Sequence, residues 1–145
     1  STKIRKALES GDIKTANKFL GYEYSIKGKV VRGKGLGKEL GYPTANIQVD
    51  DKYKLIPLDG IYAVRIEQEN KIYNGMMSIG FNPTVSGEKK TIEVNIFDFE
   101  KDIYGENIRI FFKQKLRDEK KFENIEALKK AIDGDKEKSL KILSA

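Results

Sequence analysis

Apolar residues change their spacing twice along the chain. From Thr2 to Leu20 they recur at helical intervals. Ile4, Ala7 and Leu8 share a face and Gly11 interrupts. Asp12 is placed to cap a second short helix, Ile13–Leu20, which Gly21 ends. From Ser25 to Leu116 the period falls to two. Six strands are predicted: Ser25–Arg32, Thr44–Val49, Ile61–Gln68, Lys71–Ile79, Thr91–Phe99 and Asn107–Leu116. Ala45, Ile47 and Val49 are in step in the second. Tyr62, Val64 and Ile66 are in step in the third, Ile92, Val94 and Ile96 in the fifth, and Ile108, Ile110 and Phe112 in the sixth. Helical spacing returns over Asn124–Leu143, where Ile125, Leu128, Ala131 and Ile132 form a stripe. Gly134 is expected to break that stripe, and Asp135 to cap a final turn or two carrying Leu140 and Leu143. Six short strands with no long helix between them predict a mainly β domain, an antiparallel barrel or sandwich, with helical ends packed on it.

Composition narrows the chemistry. The 145 residues include no cysteine and no histidine. That excludes disulfides, thiolate nucleophiles, Cys/His zinc sites and imidazole catalysis. Carboxylates, lysines, hydroxyls, backbone groups or a metal held by oxygen remain. The net charge is +6 and the excess is uneven, with fourteen basic against nine acidic side chains in residues 1–72. Ser25–Tyr42 alone holds five basic residues and one acidic. Such a patch suits phosphate, on a small molecule or on a nucleic-acid backbone. No apolar run approaches the ~20 residues of a membrane span. No signal-peptide pattern opens the chain, which with the missing cysteines points to the cytoplasm.

The densest motif is Arg32-Gly33-Lys34-Gly35-Leu36-Gly37-Lys38-Glu39-Leu40-Gly41-Tyr42-Pro43-Thr44-Ala45-Asn46. Glycines at 33, 35 and 37 let the backbone approach a ligand and aim N–H groups at it, and Lys34 and Lys38 add charge. Glu39 after Gly37-Lys38 rules out a Walker A loop, and Lys38 occupies the place of the third glycine of a Rossmann fingerprint. Alone, such a stretch is equally a flexible hairpin with solvating lysines. Thr44 and Asn46, two apart at a strand start, face one way. Their oxygens could hold a Mg²⁺ that bridges phosphates, or simply line a polar edge. Glu93 lies on the strand face opposite Ile92, Val94 and Ile96, with Asn95 and Phe97. It is either a solvent-facing carboxylate or a base for an alcohol.

In order along the chain, this motif is followed by Gly60-Ile61-Tyr62-Ala63-Val64, Ser78-Ile79-Gly80-Phe81-Asn82-Pro83-Thr84, Ile92-Glu93-Val94, Asp102-Ile103-Tyr104-Gly105 and Leu116-Arg117-Asp118-Glu119-Lys120-Lys121-Phe122. Together they resemble the riboflavin kinase family over roughly residues 22–135. The resemblance implies a six-stranded antiparallel Greek-key β-barrel with a C-terminal helix. It also implies Mg²⁺-assisted transfer of the ATP γ-phosphoryl group to the riboflavin 5′-hydroxyl, giving FMN. Gly33, Lys34, Gly35, Gly37 and Lys38 would meet the ATP phosphates. Thr44 and Asn46 would share the metal and phosphate site, and Glu93 would be the base. Ile96, Asp98 and Tyr104 would line the adenine-nucleotide side, and Arg117, Phe122 and Glu126 would contact the flavin.

Ser1-Thr2-Lys3-Ile4-Arg5 resembles the end of the FMN adenylyltransferase module that precedes the kinase in bifunctional bacterial FAD synthetases. Residues 1–21 are then expected to be a helical tail of that module or a linker, and 22–145 the kinase. The adenylyltransferase module would be the partner in the parent chain. With no histidine for a nucleotide motif, this chain is expected to make no FAD. A reading of a different class is a basic OB-like barrel binding single-stranded nucleic acid, with Tyr22, Tyr24 and Tyr42 as exposed aromatics. The aromatics gather on no single strand face, and the charge centres on a glycine loop. Small-molecule substrates, with no nucleic acid and no membrane, are therefore the expected partners.

Overall fold

The computed structural model describes residues 1–31, 41–84 and 87–144, with backbone only over 81–84 and 87–89. Two short helices open the chain, α1 (Thr2–Glu9) and α2 (Ile13–Leu20). Both start and stop where capping chemistry requires. The Ser1 hydroxyl accepts from the Ile4 amide, the Asp12 carboxylate accepts from the Thr15 amide, and Gly21 closes α2 at φ 81°.

Six strands follow: β1 (Ser25–Val31), β2 (Ala45–Val49), β3 (Gly60–Gln68), β4 (Lys71–Thr84), β5 (Gly87–Ile96) and β6 (Asn107–Arg117). They close into an antiparallel barrel in the order β1-β2-β5-β4-β3-β6. The β3–β4 hairpin turns on Glu69 and Asn70, both at positive φ, which matches the twist of the flanking strands. β4 and β5 outrun the alternating pattern at one end. Their backbones stay paired from Gly80↔Thr91 to Thr84↔Gly87, because ladder hydrogen bonds need no apolar side chains. β5 stops at Ile96, short of the predicted Phe99, since Asp98 turns the chain at φ 54°.

The period-two positions fill the barrel. Tyr62, Val64, Ile66, Val94, Ile110 and Phe112 are buried, with the Tyr62 and Phe112 rings edge to face at 5.3 Å. Tyr24, expected to be exposed, belongs to this core. Its ring lies 6.0 Å from that of Phe112 and its hydroxyl donates to the Leu55 carbonyl at 2.6 Å. Leu8, Ile13 and Ala16 of the opening helices join the same cluster. Asn17 ties them on, donating to the Phe112 carbonyl and accepting from the Tyr24 amide.

The last helix, α3 (Ile125–Ser144), runs unbroken through Gly134, against the expectation of a break. Glycine in a helix interior costs only about 1 kcal/mol relative to alanine, which packing overrides. Asp135 caps nothing: it is buried and turned toward β6. α3 lies across β3, β4 and β6 on the outside of the barrel. Register shifts in the β3–β6 pairing, between Ile61 and Tyr62 and between Ala63 and Val64, mark bulges that re-aim the end of β6 toward that helix.

Close backbone approach fixes the residue at two barrel positions. A Cβ on Gly28 would sit 2.6 Å from the Gln48 carbonyl oxygen, and one on Gly75 2.5 Å from that of Asn95. Gly75→Ala is therefore expected to destabilise the fold by about 1–3 kcal/mol, read as a lower urea midpoint. An unchanged midpoint would show that β4 and β5 can part without cost.

Candidate active site

Two cavities meet at one residue. The first, about 290 Å³, lies between the outer face of the barrel and α3. Met76 and Ile61 form its strand side, Leu128 and Ile132 its helix side, and Phe122 its rim. The second, about 380 Å³, is walled by Val30, Val31 and Ala45 on one side and by Phe99, Ile103 and Tyr104 on the other. Thr44 lines both.

Strand register brings the polar residues of the first cavity into a row. Glu93 on β5 stands opposite Asn46 on β2 and Ser78 on β4. Ser78 is opposite Ile61, and Ile61 is opposite Arg117 on β6. Directly paired residues share a face, so the row crosses five strands on one side of the sheet. Ile92 and Val94 point into the core, which turns the half-buried Glu93 outward. Ala45 and Ile47 do the same for Thr44 and Asn46.

Arg117 is held in a fork. Its Nε donates to both Asp135 oxygens, at 2.9 and 3.2 Å, and its Nη2 donates to Oδ2 at 2.9 Å. Nη1 donates to the Asp118 carbonyl, and the guanidinium lies 5.4 Å over the Phe122 ring. Two of its five N–H donors are left for a ligand. Glu119 also lines this cavity. Burial of its carboxyl, and then the charge of Asp59, raise it above the usual carboxylate range. Asp133, on α3, accepts a short hydrogen bond from the Tyr42 hydroxyl. Burial first, and that bond second, push the Tyr42 phenol up to about 12.

The structure therefore brings Thr44, Glu93, Arg117 and Phe122 together at one cavity, with Ile96 and Tyr104 in the adjoining one. Asn46 faces Glu93 across the ladder. Asp98 sits exposed on the turn after β5, and Glu126 is exposed on the first turn of α3; neither lines these cavities. Gly33, Lys34, Gly35, Gly37 and Lys38 lie outside the described residues. Asp135, Ser78 and Asn95 line the first cavity and were not singled out from the sequence as site residues. Asp135 carried a signal: it continues the stripe Leu128, Ile132 at helical spacing as a lone carboxylate.

Thr44 and Asn46 supply neutral oxygen donors. Among the described residues no cluster of three acidic side chains could hold a metal alone. That donor set fits a Mg²⁺ whose charge is met by substrate phosphates.

Comparison with known proteins shows what the chain is similar to. The family model described as flavokinase, riboflavin kinase, matches residues 20–143. A bifunctional riboflavin kinase/FMN adenylyltransferase of Bacillus subtilis is 40% identical over 147 residues, 99% of this chain and 46% of its own. That of Listeria monocytogenes is 42% identical over 94% of this chain and 44% of its own. The chain thus spans less than half the length of these curated relatives. Riboflavin kinase from Trypanosoma brucei superposes with a TM-score of 0.58 at 27% identity, covering 83% of this chain and 79% of that one. A structure described as a macrolide-efflux protein from Streptococcus pneumoniae superposes at 0.91 with 41% identity, covering 94% of this chain and 45% of that one.

Tyr24 and Tyr42 are both raised to about 12, burial being the leading cause in each. A phenol raised on folding contributes stability below its unfolded value near 10, and that stability is lost as pH climbs through the folded value. Denaturant stability is expected to fall between pH 10 and 12, with a shallower fall in Tyr42→Phe. Identical pH profiles for the two proteins would contradict the Tyr42–Asp133 contact.

Proposed function

The chain belongs to the riboflavin kinase family, and from that membership we propose that it transfers the γ-phosphoryl group of ATP to the 5′-hydroxyl of riboflavin. The observation that carries this reading is Glu93 in the wall of an apolar cavity that shares Thr44 with a second cavity. The first cavity suits a flat, largely apolar ring. Met76, Leu128, Ile132 and Phe122 offer apolar contact, and the free N–H groups of Arg117 offer hydrogen bonds at its edge. The second suits the adenine nucleotide, with Ile96 and Tyr104 in its wall.

Phosphoryl transfer requires an acceptor in line with the donor and stabilisation of the moving charge. Glu93 accepts the proton of the 5′-hydroxyl as the new oxygen–phosphorus bond forms. The bond to the bridging oxygen of ADP breaks and ADP leaves. Thr44 and Asn46 would hold Mg²⁺, which when bound neutralises phosphate charge. The Gly33–Lys38 stretch completes this reading as the phosphate loop. Residues 1–21 would be the tail of a preceding FMN adenylyltransferase module, the partner in a longer chain.

Conversion of riboflavin to FMN by wild-type protein, ATP and magnesium is the direct test. Glu93→Gln is expected to keep nucleotide affinity and to lose about 10²–10⁴-fold in turnover, the range of general-base catalysis. Wild-type turnover in that variant would remove Glu93 from the role. Thr44→Ala should instead weaken binding of Mg·ATP in calorimetry; unchanged affinity would count against the metal site.

A further inference from the structure

Tyr42, Pro43 and Thr44 precede β2 and lie outside the paired registers of the sheet. Among the described residues no strand pairing includes Thr44, yet Thr44 is the residue on which both cavities turn. Two side-chain bonds hold this tripeptide. The Asn95 amide nitrogen donates to the Pro43 carbonyl at 2.7 Å, and the Tyr42 hydroxyl donates to Asp133 on α3.

Asn95 is two residues beyond Glu93 on β5, so both side chains leave the same face of one strand, roughly 7 Å apart. Asn95 is also buried, at 7% exposure, and lines the first cavity. Its backbone is clamped in turn: Gly75 crosses so close that no side chain could stand between it and the Asn95 carbonyl oxygen. The peptide that carries Thr44 is therefore tied to the strand face that carries Glu93.

We infer that Asn95, assisted by Asp133 through Tyr42, is a positioning residue that sets Thr44 against Glu93. This rests on the kinase reading above. An apolar residue of the same size would fill the space but leave the Pro43 carbonyl without a donor, and the tripeptide free to shift. Small displacements matter here, because a misplacement of about 1 Å can cost 10²-fold in a reaction limited by alignment. Asn95 itself need touch neither substrate.

The test compares Asn95→Leu and Tyr42→Phe with wild type in turnover, riboflavin binding by flavin fluorescence, Mg·ADP binding by calorimetry, and melting temperature. Asn95→Leu is expected to lose about 10²-fold in kcat with riboflavin affinity unchanged. Its affinity for Mg·ADP should be weaker, and the magnesium midpoint at fixed ATP should rise. Tyr42→Phe, which keeps the ring and removes only the hydroxyl, should move the same quantities in the same direction by less. A purely structural role would lower the melting temperature and leave kcat per folded molecule, and the magnesium midpoint, in place. That result overturns the inference. Should Asn95→Leu fail to fold, Tyr42→Phe decides alone, and wild-type behaviour in it is fatal. A wild-type chain that makes no FMN overturns the functional reading and this inference with it. Normal wild-type turnover with an unaffected Asn95→Leu overturns this inference only.

Discussion

Side chains pack the middle of the barrel. Tyr62, Phe112, Met77 and Ile66 are almost wholly buried between the six strands, which leaves the outer face and the rim for a ligand. Because strand side chains alternate, every residue spared from the core points outward. The site must then form on the outer face or at the rim, and it needs another element to make a concave surface. α3 supplies that element by crossing β3, β4 and β6. One packing constraint thus places the cavity, chooses which strand positions can serve it, and explains why a long helix follows the last strand.

The same constraint explains the bonding around the cavity. A helix laid on a barrel has no backbone ladder to fix its position, so side chains must do so. Asp135 grips the end of β6 through Arg117, and Asp133 grips the chain before β2 through Tyr42. Arg117 and Tyr42 both line the cavity, so α3 braces two of its walls. Asp135 is almost wholly buried while its partner is partly open to water. A buried pair of this kind adds little net stability, but loss of one member leaves an uncompensated charge. Its value lies in the fixed place it gives to the guanidinium.

Much of this was legible in the amino-acid order. Period-two runs marked all six strands, and Asp12 and Gly21 marked the limits of α2. Thr44, Glu93, Arg117 and Phe122, far apart in sequence, do converge. What failed to show had local causes. Gly134 reads as a breaker because propensity is local, whereas the helix is held by its contacts with the barrel. Tyr24 reads as a surface aromatic because its hydroxyl's partner, the Leu55 carbonyl, is thirty-one residues away. Asp135 reads as a cap because nothing near it announces Arg117. The extra pairing of β4 with β5 is a backbone property that side-chain pattern does not carry.

The proposed function seats the flavin outside the barrel, beneath α3, with its reactive hydroxyl at Glu93. A crystal structure with riboflavin and Mg·ADP tests this most directly. The isoalloxazine ring is expected between Met76, Phe122 and Leu128, with the 5′-oxygen within hydrogen-bond reach of the Glu93 carboxylate and the adenine beside Ile96. A flavin ring seated instead between Val31 and Phe99, or a 5′-oxygen out of reach of Glu93, would contradict it.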